Sequence, residues 1–267
     1  MGKIETLHTE PVTPFEKIYN AADKSNYFVY NISSGMDNWS QRNSKYSYVN
    51  KDLKVNAFTL CNVHVMAMGL IYIGIYDRFK KEIDIRYPEL TRFPDKLAKY
   101  LIEDPEMRKY FSKRFPKENA NFVNGVKDAY TPNELHNSLS YGINKFIDAG
   151  TVTYFSTNVS WKEIINDLIY KGCPVGISGK FSGLDHIVLV VGCAYKRLGD
   201  KTCPSDNQVP DYLIVDDPFG KTYEYNKGLS GNDIWIPFSK CIDDFKPHNN
   251  PKFKYAHRFI KPQWLGF

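Results

Sequence analysis

A switch from polar to apolar sequence at Cys61 divides this chain. Residues 1–60 are rich in Asn, Ser, Tyr and Lys. The run that follows, Cys61-Asn62-Val63-His64-Val65-Met66-Ala67-Met68-Gly69-Leu70-Ile71-Tyr72-Ile73-Gly74, is almost wholly apolar. Its apolar residues surround a helix, so 61–75 predicts a central helix buried on most sides. Gly69 would cost about 1 kcal/mol against Ala in an exposed helix. In a buried one it permits a close crossing by another element.

Further elements follow from the same pattern. Tyr27-Phe28-Val29-Tyr30-Asn31 reads as a strand among turns. Residues Asp95 to Ile102 have helical spacing. Thr131-Pro132-Asn133-Glu134 is a capping box with Pro at the first helical position, and its helix should run to Ala149 and stop at Gly150. Ser160-Trp161-Lys162-Glu163 repeats the box, and Gly172 ends that second helix. After Gly172 the pattern becomes strand-like: 174–179, 186–191, 212–215 and 221–225, with 235–238 and 255–260 as added edges. Helices therefore dominate the first part and an antiparallel sheet the second, an α+β plan. No repeat or linker interrupts it, so 1–267 is read as one domain with 1–40 as an N-terminal extension.

Composition narrows the classes. A chain of 267 residues with 42% hydrophobic residues can bury a sizeable core. The formal charge of +5 is modest and spread out, with no Lys/Arg block that would mark a nucleic-acid partner. The same mild basicity suits an anionic polymer such as a bacterial cell wall. Five cysteines, at 61, 173, 193, 203 and 241, leave at least one thiol free and form no Cys-x-x-Cys pair. Cys173 and Cys193 read as small hydrophobes in apolar strand, and a reducing compartment is expected. Met1-Gly2-Lys3-Ile4-Glu5 leads into no apolar signal segment, and 61–75 is too short to cross a membrane. The expectation is a monomer without a transmembrane segment, made in the cytoplasm and reaching a cell wall through lysis.

The chemistry-bearing residues are spread along the chain. A thiol at the first turn of a buried helix, Cys61, meets N–H groups and a helix dipole that favour the thiolate. His186 opens the strand Ile187-Val188-Leu189-Val190-Val191-Gly192, and Asp216-Asp217-Pro218 closes Tyr212-Leu213-Ile214-Val215. Thiol, imidazole and carboxylate in that order fit nucleophilic catalysis by cysteine, with the base supplied by the ring and the ring oriented by the acid. Side chains alternate along a strand, so only one of Asp216 and Asp217 should face the cleft. His64, three residues after Cys61, shares its helical face and is a candidate groove residue. Cys61, His64, His186 and Asp217 could also form a zinc set, although no HExxH motif is present. Asp211, Asp216 and Asp217 lack EF-hand spacing, and the glycines near 176, 179 and 183 lack a phosphate-loop ending. No cofactor is expected. The Cys61 N–H is the natural first oxyanion donor, and Gln41, Asn43, Asn50 and Asn56 are candidates for a second, side-chain one.

Four pieces of sequence carry a family resemblance: Ser40-Gln41-Arg42-Asn43; Thr59-Leu60-Cys61-Asn62-Val63 with Met66-Ala67-Met68; Gly183-x-x-His186 through Gly192; and Ile214-Val215-Asp216-Asp217-Pro218-Phe219-Gly220. Together, across about 40–225, they resemble the C39-like, papain-like cysteine peptidases, in particular stand-alone phage and bacterial forms. The resemblance implies a papain-like fold with Cys61 as nucleophile, His186 as general base and Asp217 as the orienting acid. It maps the oxyanion glutamine to Gln41. The gap from there to Cys61 is long, with Tyr46 to Val55 as an insertion, which keeps Asn56 and Asn50 as alternatives. His64 stands where the family often carries small or hydroxyl residues. The implied activity is amide hydrolysis, of peptidoglycan peptide links as in endolysins, or of another polypeptide as in leader processing. A catalytically inactive papain-like binding module is the third expectation.

Overall fold

Burial on all sides is what makes the segment after Cys61 the centre of the molecule. The computed structural model describes residues 4–5, 26–32, 60–114, 132–181, 184–197, 208–219, 231–244 and 255–262. In chain order the elements are β1 (Ile4–Glu5), β2 (Tyr27–Asn31), α1 (Cys61–Tyr72), α2 (Ile75–Arg78), α3 (Lys80–Arg86), α4 (Phe93–Glu103), α5 (Pro105–Arg114) and α6 (Pro132–Ile147). There follow β3 (Thr153–Ser156), α7 (Trp161–Ile169), β4 (Val175–Phe181), β5 (Leu184–Lys196), β6 (Tyr212–Asp216), β7 (Ile234–Pro237), α8 (Phe238–Asp244) and β8 (Ala256–Phe259). The architecture is α+β, with an antiparallel sheet as its spine.

The long strand β5 organises that sheet. Val190 pairs with both Val175 of β4 and Val215 of β6, and Ala194 pairs with both Val29 of β2 and Tyr212 of β6. A strand has two edges, so β6 runs along one, while β4 and then β2 share the other. Beyond β4 lie β8 and β3, and β7 flanks β6. The register shifts between Val190 and Gly192. Before that bulge Ile187, Leu189 and Val191 face the core around α1; after it Ala194 does, and Cys193 and Tyr195 turn to the other side. One extra residue re-phases the alternation.

Helices cover both faces of the sheet rather than one. Val63, Val65, Met66 and Leu70 of α1 pack with Leu97 of α4 and Ile143 of α6 against one face. Ile164 and Leu168 of α7 and Cys241 of α8 pack against the other. β8 corrects an expectation: it is no edge but an interior strand between β4 and β3. β7, by contrast, pairs with β6 alone among the described strands. Two helix ends also fall earlier than the pattern predicts. α1 stops at Tyr72, ahead of Gly74 at φ 79°, and α6 at Ile147, because Asp148 turns left-handed at φ 55° before Gly150. The predicted strand 221–225 and Thr131 of the first capping box lie outside the described residues. The second box is present in full: Ser160 Oγ accepts the Glu163 N–H (3.2 Å), and Glu163 Oε2 accepts the Ser160 N–H (2.8 Å). No helix among the described residues is long and apolar enough to cross a membrane.

Gly69 marks the close crossing expected of it. A Cβ there would stand 2.1 Å from Cζ of Phe259, a buried ring of β8. Gly69→Ala is therefore expected to destabilise the fold by about 1–2 kcal/mol: the helix-propensity gain of about 1 kcal/mol is outweighed by overpacking. Thermal unfolding checks this, and an unchanged or raised midpoint would show that the ring yields freely.

Candidate active site

Three elements deliver the side chains that the sequence singles out. Cys61 is the first residue of α1, and the N-cap residue Leu60 offers that turn no side-chain hydrogen bond. The first N–H groups of a helix have no intrahelical acceptor, so the positive end of α1 stands at the sulfur. Cys61 is half-buried, whereas Cys173, Cys193 and Cys241 are buried. Burial pushes the Cys173 thiol up and the Cys193 thiol up to about 12, as befits inert core residues. Cys203 lies outside the described residues.

His186 sits near the start of β5, and Asp217 directly follows β6, so strand pairing brings them together. The His186 Nε2–H donates to Asp217 Oδ1 at 2.8 Å, and both residues are buried. Asp217 Oδ1 also accepts the Phe219 N–H at 2.7 Å, and the Asp217 N–H donates to Gly231 O at 2.8 Å. The turn-capping and ring-orienting roles are thus carried by one carboxylate. Phe219 stands edge-on to the imidazole with centroids 5.8 Å apart and helps exclude water. The Cys61 sulfur stands close enough to the same imidazole to favour its protonated form. Its sulfur is 3.6 Å from Asn62 Oδ1. With Nε2 turned to Asp217, Nδ1 is the ring nitrogen left for the sulfur. Burial alone would lower the pKa of His186; the charge and hydrogen bond of Asp217, with a smaller contribution from Cys61, outweigh it and raise it to about 9. The ring is therefore cationic at neutral pH. The arrangement can hold a nucleophile beside a proton donor at one partly open spot.

No family model, curated protein or solved structure matches this chain.

Asp216, the rival carboxylate, turns the other way, as alternation requires. It is fully buried, and its Oδ2 accepts the Tyr72 hydroxyl at 2.5 Å. His64 is corrected: it lines no open groove. It is fully buried, and its Nδ1–H donates to the Leu60 carbonyl at 2.9 Å. That bond braces the peptide immediately before Cys61. The His64 Nε2 has no hydrogen-bond partner, and burial lowers the pKa of the ring to about 4. Among the described residues no group of three or more His, Cys, Asp or Glu side chains is arranged to hold a metal ion. The oxyanion candidates Gln41, Asn43, Asn50 and Asn56 lie outside the described residues. Sequence reasoning missed Phe219 as a cover for the ring, although Asp-Pro-Phe-Gly marked the turn that places it. It also missed Tyr72, whose hydroxyl nothing in an apolar helix pattern singles out.

Proposed function

We propose that this chain is a cysteine peptidase or amidase of papain-like fold, acting on peptide links of peptidoglycan. One observation carries the reading: a half-buried thiol at a helix start, a buried imidazole from β5 and a buried carboxylate beyond β6 converge. Cys61 attacks the carbonyl carbon of the amide. The tetrahedral oxyanion is met by the Cys61 N–H. His186 hands its proton to the leaving amine, and the acyl group stays on sulfur. The neutral ring then takes a proton from water, whose oxygen attacks the thioester, and the thiolate leaves. Asp217 holds the ring orientation and supports its positive charge. The peptidoglycan assignment is supported by the resemblance to stand-alone phage and bacterial forms and by the mild net charge of +5.

Digestion of purified sacculi, followed by mass spectrometry of the soluble fragments, tests both parts. Wild type is expected to release muropeptides with new amino and carboxyl ends, and Cys61→Ala none. Release by Cys61→Ala at the wild-type rate would end the reading of Cys61. Cleavage of an unfolded protein, with sacculi untouched, would keep the chemistry and replace the substrate with a polypeptide.

A further inference from the structure

A second polar node lies behind the Cys61–His186–Asp217 group, and no step of amide hydrolysis uses it. Asp216 is fully buried there. Its Oδ2 accepts the Tyr72 hydroxyl (2.5 Å), and its Oδ1 accepts the Asp233 N–H (2.8 Å). Asp233, left-handed at φ 50°, accepts a hydrogen bond from Asn31 Nδ2 at 2.8 Å. Four pieces of the fold meet at this node. Tyr72 is the last residue of α1, Asp216 the last of β6, Asp233 the residue before β7, and Asn31 the last of β2. Two of them also carry the chemistry, because α1 begins at Cys61 and β6 runs directly into Asp217.

Apolar packing holds α1 on the sheet, through Val63, Val65 and Leu70 against Ile187, Leu189 and Ile214. Such contacts are non-directional, and by themselves they set the spacing of two elements better than their axial register. A hydrogen bond is directional, and burying a carboxyl and a phenol costs free energy unless they meet. The Tyr72–Asp216 hydrogen bond joins the end of the nucleophile's helix to the acid's strand.

We propose that Tyr72 and Asp216 are positioning residues that lock the helix of the nucleophile to the strand of the acid, and so hold Cys61 in register with His186. The proposal rests on the reading of Cys61 as nucleophile. The acidic groups around Asp216 are Asp233 and Asp217; burial first, then the Asp233 charge, raises its pKa to about 7. A carboxyl whose neutral form is favoured by burial can keep both bonds with less buried charge beside Asp217. An amide at position 216 has the same shape, with an oxygen for the Asp233 N–H and an N–H for the Tyr72 oxygen.

Alkylation of the full-length protein by iodoacetamide, followed at the Cys61 peptide by mass spectrometry, tests the lock without needing a substrate. At about pH 6 an ordinary thiol reacts slowly, while one paired with an imidazolium reacts fast. Tyr72→Phe and Asp216→Ala are expected to slow Cys61 about tenfold at that pH, and Asp216→Asn to stay within about twofold of wild type. At about pH 10 all should react alike, which separates lost pairing from lost access. Thermal unfolding confirms that each variant is folded, and Tyr72→Phe, which removes one oxygen, carries the test if Asp216→Ala does not fold. Wild-type rates at the lower pH for Tyr72→Phe would overturn the proposal, as would an Asp216→Asn as slow as Asp216→Ala. A different result sinks the catalytic reading itself: wild-type Cys61 no faster than an ordinary thiol at the lower pH, with His186→Ala making no difference.

Discussion

Replacing His186 with alanine is expected to slow amide hydrolysis by about 10³- to 10⁴-fold, with the protein still folded. The size follows from where the ring sits. Its Nε2–H is fixed on Asp217 at 2.8 Å, and Cys61 stands close enough to favour the ring's protonated form. Alanine removes the proton donor for the leaving amine and the cation beside the sulfur in one step, and water in the vacated space replaces neither with comparable alignment. Asp217→Asn should cost less, because nucleophile and base both remain, though the ring loses its charged partner. The pH dependence has a definite sign. In the proposed mechanism the ring proton is the one passed to the leaving group, so the rate should fall as pH rises through about 9, where the pair gives that proton up. Initial rates on the released peptide fragments, for wild type and both variants, check the whole set. A His186→Ala enzyme that keeps a tenth or more of the rate would remove the imidazole from the chemistry.

Much of this geometry was legible in the sequence, for reasons that differ by residue. Cys61 stood out because an apolar helix cannot begin in the middle of polar sequence without exposing its first turn. His186 and Asp217 stood out because each bounds an apolar run, and a polar residue at a strand end is where a site can form. Alternation then separated Asp216 from Asp217, and the two do face opposite ways. His64 misled, because spacing on a helix says which face a residue shares and not whether that face is covered. Here the His64 part of that face is inside, and the ring turns back to its own Leu60 carbonyl. The interior position of β8 was hidden for a related reason. A short apolar strand near the end of a chain looks the same at an edge as in the middle; only its partners β3 and β4, more than seventy residues upstream, decide. The bulge at Val190 and Gly192 was likewise invisible, since an unbroken apolar run shows no change of phase.

Acid is expected to begin destabilising this protein well above the pH at which ordinary carboxylates are titrated. Three histidines are buried and neutral: His64, His136 and His257. Burial lowers His64 and His136 to about 4 and takes His257 well below its usual value, with the neighbouring His136 adding to the effect. The geometry explains why the last two resist protons. His136 Nδ1 and His257 Nε2 share one hydrogen bond of 2.8 Å between α6 and β8, and the Ser140 hydroxyl lies 3.3 Å from His257 Nδ1. Protonating both rings would set two N–H bonds against each other. Each of the three has a folded pKa below its unfolded value, so the unfolded chain binds more protons between the two. The stability they contribute is full above about pH 6.5 and is lost as pH falls toward 4, at about 1.4 kcal/mol per pH unit for each ring. His186 does not offset this, because it is protonated in both states below about pH 6.5; its own contribution is lost at the alkaline end, through about 9. Asp216 does offset part, because its raised pKa favours the folded state as pH falls from about 7. With three depressed groups against one raised group, stability falls on balance as pH drops through this range. Urea unfolding at a series of pH values measures the slope directly, and a flat stability between about pH 6.5 and 4.5 would show that these rings already accept protons in the folded state.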